Sequence, residues 1–143
     1  MRVYVPVTFV GLGRAQSSGA LATSGWKARV SPPVTADQDE EAGEYAALLA
    51  AAADSLEELK REPEAPRRRA VVVANVPDEW TEMEPGGGVV LTRRIPVERF
   101  LAVYADAPES ATAVVAALNG KASPIEDLDL LWFARQELPE LVG

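Results

Sequence analysis

Residues 37–62, DQDEEAGEYAALLAAAADSLEELKRE, decide how the rest of the chain is read. Apolar side chains recur at Tyr45, Leu48, Leu49, Ala52, Leu56 and Leu59, the i, i+3, i+4, i+7 rhythm of a helix with one buried stripe. Asp37 and Glu40 fit a capping box, in which two side chains satisfy backbone N–H groups that lack a helical partner. Asp39, Glu40 and Glu41 stand at the positive end of the helix dipole, and Lys60 and Arg61 at the negative end. Pro63 ends the helix, because it has no N–H and disfavours helical geometry at Glu62. A stripe of this length must be covered by a sheet or by other helices.

Working outward toward the N-terminus, Trp26, Ala28 and Val30 alternate with Lys27 and Arg29, which predicts a short strand ending at Pro32-Pro33. Residues 10–23 are rich in small side chains and predict a weak helix or a loose loop. Before them, Val3, Val5, Val7 and Phe9 alternate with Arg2, Tyr4, Pro6 and Thr8, the period of a strand with one covered face. Pro6 marks that strand as an edge or a bulge.

Toward the C-terminus, residues 70–76 (AVVVANV) form a continuous apolar run, the mark of a strand that is central or covered on both sides. Pro85-Gly86-Gly87-Gly88 reads as a turn between two strands, the second starting at Val89. A helical turn over 96–100, a strand over 101–105 and a helix over 109–118 follow, with Ala113, Val114, Ala117 and Leu118 turned inward. The last predicted element is a short apolar helix from Glu126 to Leu138. On it Leu128, Leu131, Trp132 and Leu138 share the face that seals the core. Leu130 and Phe133 diverge from that face and need a second cover, from the preceding helix, a loop carrying Trp80 or another chain. Together these elements predict a single α+β domain over residues 1–143, a two-layer sandwich whose mixed or antiparallel sheet carries helices on one face. Val3, Val5, Val71, Val73 and Leu91 are expected to share one core with Leu48, Leu49 and Leu56.

Composition narrows the chemistry. The 143 residues are 48% apolar, enough for a core without metal or disulfide help. There is no cysteine and no histidine, so disulfides, thiolate chemistry, the usual serine triad and most zinc or iron sites are excluded. No transition metal and no cofactor is expected. A formal charge of −8 opposes non-specific binding to nucleic acid or an anionic membrane. The opening reads as a strand and not as a signal peptide, and no apolar run is long enough to span a bilayer, so the expected location is the cytoplasm.

Several segments resemble a conserved actinobacterial family of small proteins built on a domain of unknown function. They are the opening MRVYVP, Glu44-Tyr45-Ala46-Ala47, residues 66–72 (PRRRAVV) with Val76-Pro77-Asp78, and residues 130–137 (LLWFARQE), the most specific of the four. The resemblance spreads over nearly the whole chain and implies a single small domain without assigned chemistry or catalytic residues.

Gly11-Leu12-Gly13 stands where a dinucleotide fingerprint would begin, but its third glycine is replaced by Gln16 and no acidic residue closes a second strand at the required distance. Arg67, Arg68 and Arg69, with Arg93 and Arg94 expected nearby, are the one cationic concentration, able to hold a phosphate or carboxylate or to answer the acidic helix. Asp127 and Asp129 read as charges at the start of the last helix, and the ordered calcium loop of an EF-hand is absent. Serines 17, 18 and 24 lack a histidine partner and a nucleophile elbow. Arg2, Tyr4 and Thr8 share one face of the first strand, as outer surface or as the polar lining of a groove.

The expected function is therefore binding, not catalysis, through a protein partner or self-association as a homodimer, with Leu130 and Phe133 at the interface. The alternative is an enzyme or sensor that takes an anionic ligand on Arg67, Arg69 and Arg93, with Arg2 and Tyr4 as further ligand contacts.

Overall fold

A computed structural model of the chain describes residues 1–31 and 39–143. The long helix α2 spans Glu40–Arg61, and Asp39 caps it by accepting from the Ala42 N–H at 2.8 Å. The capping role expected of Asp37 lies outside the described residues. Acidic and basic residues sit at the two ends as the dipole requires.

Four strands make the main sheet: β1 (Arg2–Val7), β4 (Ala70–Asn75), β8 (Phe100–Ala105) and β9 (Leu131–Phe133). They lie in the order β1-β4-β8-β9, every neighbouring pair antiparallel. Between them run two smaller sheets. One pairs β2 (Ala20–Leu21) with β7 (Ile95–Pro96). The other orders β3 (Lys27–Ala28), β6 (Val89–Leu91) and β5 (Thr81–Met83). β5 and β6 are joined by the predicted glycine turn, in which Gly87 takes a positive φ of 92°. The chain is α+β, and among the described residues no helix is long and apolar enough to cross a membrane.

The strand alternation sorts the core into two faces. On one, Val3, Val5, Val7, Val72, Ala74 and Val103 meet Phe9, Leu12 and Ala15 of α1 (Phe9–Ser18), the small sheets through Leu21, Val89, Leu91 and Ile95, and Leu138 of α4 (Leu138–Val142). On the other, Tyr4, Val71 and Val73 meet Ala47, Leu48, Ala51 and Ala52 of α2. The helices thus divide between the two faces where one covered face was expected, because the apolar run of β4 and the buried Tyr4 demand cover on both. Val3, Val5 and Leu91 accordingly belong to a different cluster from Val71, Val73 and Leu48, and Leu56 joins a third cluster. That third cluster centres on Leu59, Ala65 and Val114 of α3 (Ala111–Leu118). Leu49 and Tyr45, both expected in the stripe, are exposed.

The reason lies in the small side chains of α2. Gly43, Ala47, Ala51 and Ser55 recur every fourth residue on its buried face, with Leu59 one turn further, and the four small side chains permit a close approach to the sheet. Ser55 fixes that approach: its hydroxyl donates to the Val7 carbonyl at 2.7 Å and accepts from the Ala70 N–H at 3.0 Å, at the last pair of the β1–β4 ladder.

One segment decides between two expected alternatives, and another departs from the sequence reading. The weakly legible stretch after β1 is the well-formed α1, with Thr8 accepting from the Gly11 N–H and Gly19 closing the helix at φ 86°. The predicted helix from Glu126 to Leu138 does not form. A single 3₁₀ turn (Ile125–Asp127) leads into β9, and the chain becomes helical again only at Arg135. Asp127 and Asp129 are therefore not helix-start charges ahead of an α-helix. Four consecutive apolar residues carry no period that separates helix from strand, and the open edge of β8 decides for pairing.

Candidate functional site

α2 lies over β1 and β4, and beside them, at β8 and β9, the same face of the sheet opens into a groove of about 380 Å³. Its floor is Tyr4, Val73, Ala102 and Tyr104, and its rim Tyr45 and Leu48 of α2 and Trp132 of β9. Tyr104 and Trp132 are a cross-strand pair, so their rings stand on this face side by side. The register shift between Val73 and Ala74 leaves Leu101 without a partner on β4 and turns it out into the same groove. All three tyrosines of the protein therefore meet here, and Trp132 and Tyr45 remain 57% and 56% exposed.

The charged residues of the groove come from its α2 side. Arg2 donates to Glu44 at 2.7 Å, while Glu41 has no ion pair among the described residues. Tyr4 is buried, and burial raises its phenol pKa above the ordinary 10.0, more than the hydrogen bond from Arg2 lowers it; Glu44 adds to the rise. Arg2 and Tyr4 are thus brought together in one site. Thr8, the third member of their strand face, instead caps α1 and donates to Glu62 at 2.6 Å.

The arginine triplet is spent inside the protein. Arg67 donates to the carbonyls of Leu59 and Glu62 at the C-terminal end of α2 and to that of Ala65 in the turn beyond it. Arg68 donates to the Asp106 carbonyl at 2.8 Å with its guanidinium 4.2 Å from the Phe9 ring centroid. Burial lowers its pKa, and Asp106 and Glu109 only partly restore it. Arg69 forms a buried bidentate pair with Asp106. Arg93 lies apart from all three, over Trp80, in a second depression lined also by Ser24, Thr92 and Arg94.

Leu130 packs against the α2-side cluster and Phe133 against the opposite core, so both are partly covered by the chain itself. The exposed residues of that segment are their neighbours Leu131 and Trp132. A larger groove of about 560 Å³ between α2 and the glycine turn is lined by charges that answer one another, Arg29 with Asp54, Arg61 with Glu58 and Lys27 with Glu84. Among the described residues no three carboxylates converge to hold a metal ion.

The model of the DUF6912 family matches residues 1–142. The chain belongs to this family of unknown function. No curated protein and no solved structure matches it. Within this DUF6912 chain, Arg2 and Tyr4, singled out from the sequence as ligand contacts, line the groove together with Tyr45, Tyr104 and Trp132, which the sequence did not single out as their partners. The helical period assigns Tyr45 to the buried stripe, and the apolar run places Trp132 on a helix. The one available signal was Tyr4 itself, a large aromatic on the strand face that alternation marks as outer.

Proposed function

We propose that this protein works by binding, with the groove between α2 and β8–β9 receiving a protein segment that presents basic side chains. The reading treats the chain as one α+β domain acting in the cytoplasm. The observation that carries it is the aromatic lining left open beside α2, in which Tyr45, Tyr104 and Trp132 sit next to Glu41 and Glu44. Tyrosine and tryptophan supply large, stiff contact area with a polar tip, the composition of interface hot spots. A lysine or arginine entering the groove can stack on Tyr45 or Trp132 and pair with Glu41. The formal charge of −8 draws such a partner in and opposes a second copy of the same chain.

Selection from a displayed random peptide library tests this. Peptides rich in lysine and arginine should be enriched on the native protein and lost on a Tyr45→Ser/Trp132→Ser variant. Enrichment without basic residues, or equal capture by the variant, would sink the proposal. Analytical ultracentrifugation on the same two proteins tests self-association: a native dimer that the variant dissolves would replace the basic partner with a second copy.

A further inference from the structure

Most arginines of this acidic protein have an anionic or carbonyl partner. Among the described residues Arg2, Arg29, Arg61 and Arg69 form ion pairs, and Arg67, Arg68 and Arg135 donate to carbonyls. Arg14, Arg93, Arg94 and Arg99 form no ion pair with a described carboxylate, although the chain holds 22 acidic residues against 14 basic ones. Arg14 stands alone on α1, whereas Arg93, Arg94 and Arg99 belong to one short stretch and gather at one place. The guanidinium carbons of Arg93 and Arg99 lie 4.6 and 4.7 Å from the Trp80 ring centroid. Arg94 lines the adjoining depression of about 360 Å³ with Trp80, Arg93 and the hydroxyl-bearing Ser24 and Thr92.

The segment that presents these charges is pinned on both sides. The Thr92 N–H donates to the Trp80 carbonyl at 2.8 Å, and the buried Thr23 hydroxyl donates to the Arg93 carbonyl at 2.6 Å. Ile95, next in the chain, is fully buried in β7 opposite Leu21. Backbone fixed in this way holds neighbouring arginines at one site without the entropy cost of ordering a free loop at the moment of binding. The indole face attracts each guanidinium but leaves its charge unneutralised, and an anion beside the pair supplies the missing counter-charge.

We infer that Arg93, Arg94 and Arg99, gathered around Trp80, form a binding site for a small ligand bearing a phosphoryl group. Three guanidinium forks offer more donors than one carboxylate can accept, whereas a phosphate or pyrophosphate group presents several anionic oxygens in the geometry that arginine matches bidentately. The overall negative charge of the protein excludes long polyanions such as nucleic acid more strongly than a compact anion, which meets only the local patch. This site lies outside the aromatic groove and stands independently of the reading proposed for it.

Isothermal titration calorimetry with inorganic pyrophosphate, and with orthophosphate and citrate alongside, tests the site on the full chain at low salt. Saturable one-to-one binding of pyrophosphate is expected, weakening with added salt. Arg94→Gln is the deciding variant, because Arg94 is not over Trp80 and its loss leaves the cover of that ring intact. It should weaken pyrophosphate binding by about tenfold. Arg93→Gln should do the same, and the indole N–H resonance of Trp80, assigned with Trp80→Phe, should move on titration of the native protein. No heat with pyrophosphate, or unchanged binding in Arg94→Gln, would show that the arginines only shield Trp80. Equal binding of citrate would overturn the preference for a phosphoryl group.

Discussion

Arg69 and Asp106 hold each other across the start of β4 and the end of β8. The guanidinium donates twice to the carboxylate, at 2.9 and 2.8 Å, and the Arg69 N–H donates to the same carboxylate at 2.8 Å. The Asp106 N–H returns a bond to the Arg69 carbonyl at 3.0 Å, and the Asp106 side chain is wholly buried. Every buried donor and acceptor of the pair is thereby satisfied, and the ladder between β4 and β8 ends in a clasp made by side chains.

Removing one partner strands a buried charge. Asp106→Ala is expected to lose about 3–5 kcal/mol of stability. The double replacement Arg69→Met/Asp106→Leu should lose about 1–3 kcal/mol, the cost of a buried N–H at residue 69 left without its acceptor. Urea unfolding of the single and double variants measures both. Additive losses would show that the two side chains are not coupled.

The glycine turn between β5 and β6 offers a paired control. A Cβ on Gly88 would stand 2.8 Å from the Ala28 carbonyl oxygen, a backbone atom that cannot swing aside, whereas one on Gly86 meets nothing. Gly88→Ala should therefore cost about 1–3 kcal/mol by forcing β3 and β6 apart, and Gly86→Ala should be close to neutral. Thermal melts of the two variants compare them directly, and equal melting temperatures would contradict the close approach.

Tyr4 links pH to stability. Its phenol is raised above 10.0 by burial in the folded protein, so the folded state keeps the proton that the unfolded chain gives up at ordinary phenol pKa. The stabilisation is complete below pH 10 and is lost as pH climbs from there through the folded-state pKa. Tyr4→Phe should remove this component, so that the gap in stability between native and variant narrows above pH 10. Denaturant unfolding from pH 8 to 11, with absorbance at the phenolate band, reads the effect, and a gap that stays constant would place the Tyr4 hydroxyl in water.

β9 separates two adjacent aromatics. Phe133 pairs in register with Val103 and packs on the main core, while Trp132 pairs with Tyr104 on the groove face and is mostly exposed. Phe133→Glu should cost about 2–3 kcal/mol, and Trp132→Ser should stay within about 0.5 kcal/mol of the native protein. Equal losses, as on two buried positions of a helix, would argue against the strand.

Local chemistry is enough to specify three elements of this fold. α2 has its period, its acidic first turn, its basic last turn and its terminating Pro63 within one continuous stretch, and the alternation of β1 and the apolar run of β4 are likewise written residue by residue. The α+β class follows from those three elements. The remaining features depend on partners that are distant in the chain. Leu131, Trp132 and Phe133 are a strand because β8 offers an edge, not because of any period of their own. Arg69 is structural because Asp106, 37 residues on, is buried against it, and Arg67 because the carbonyls at the end of α2 lie within its reach. The aromatic groove exists because α2, drawn close by its alanines, covers β1 and β4 and leaves β8 and β9 open beside it. No local signal carries that information, since it depends on where a helix of a given width comes to rest on a sheet of four strands.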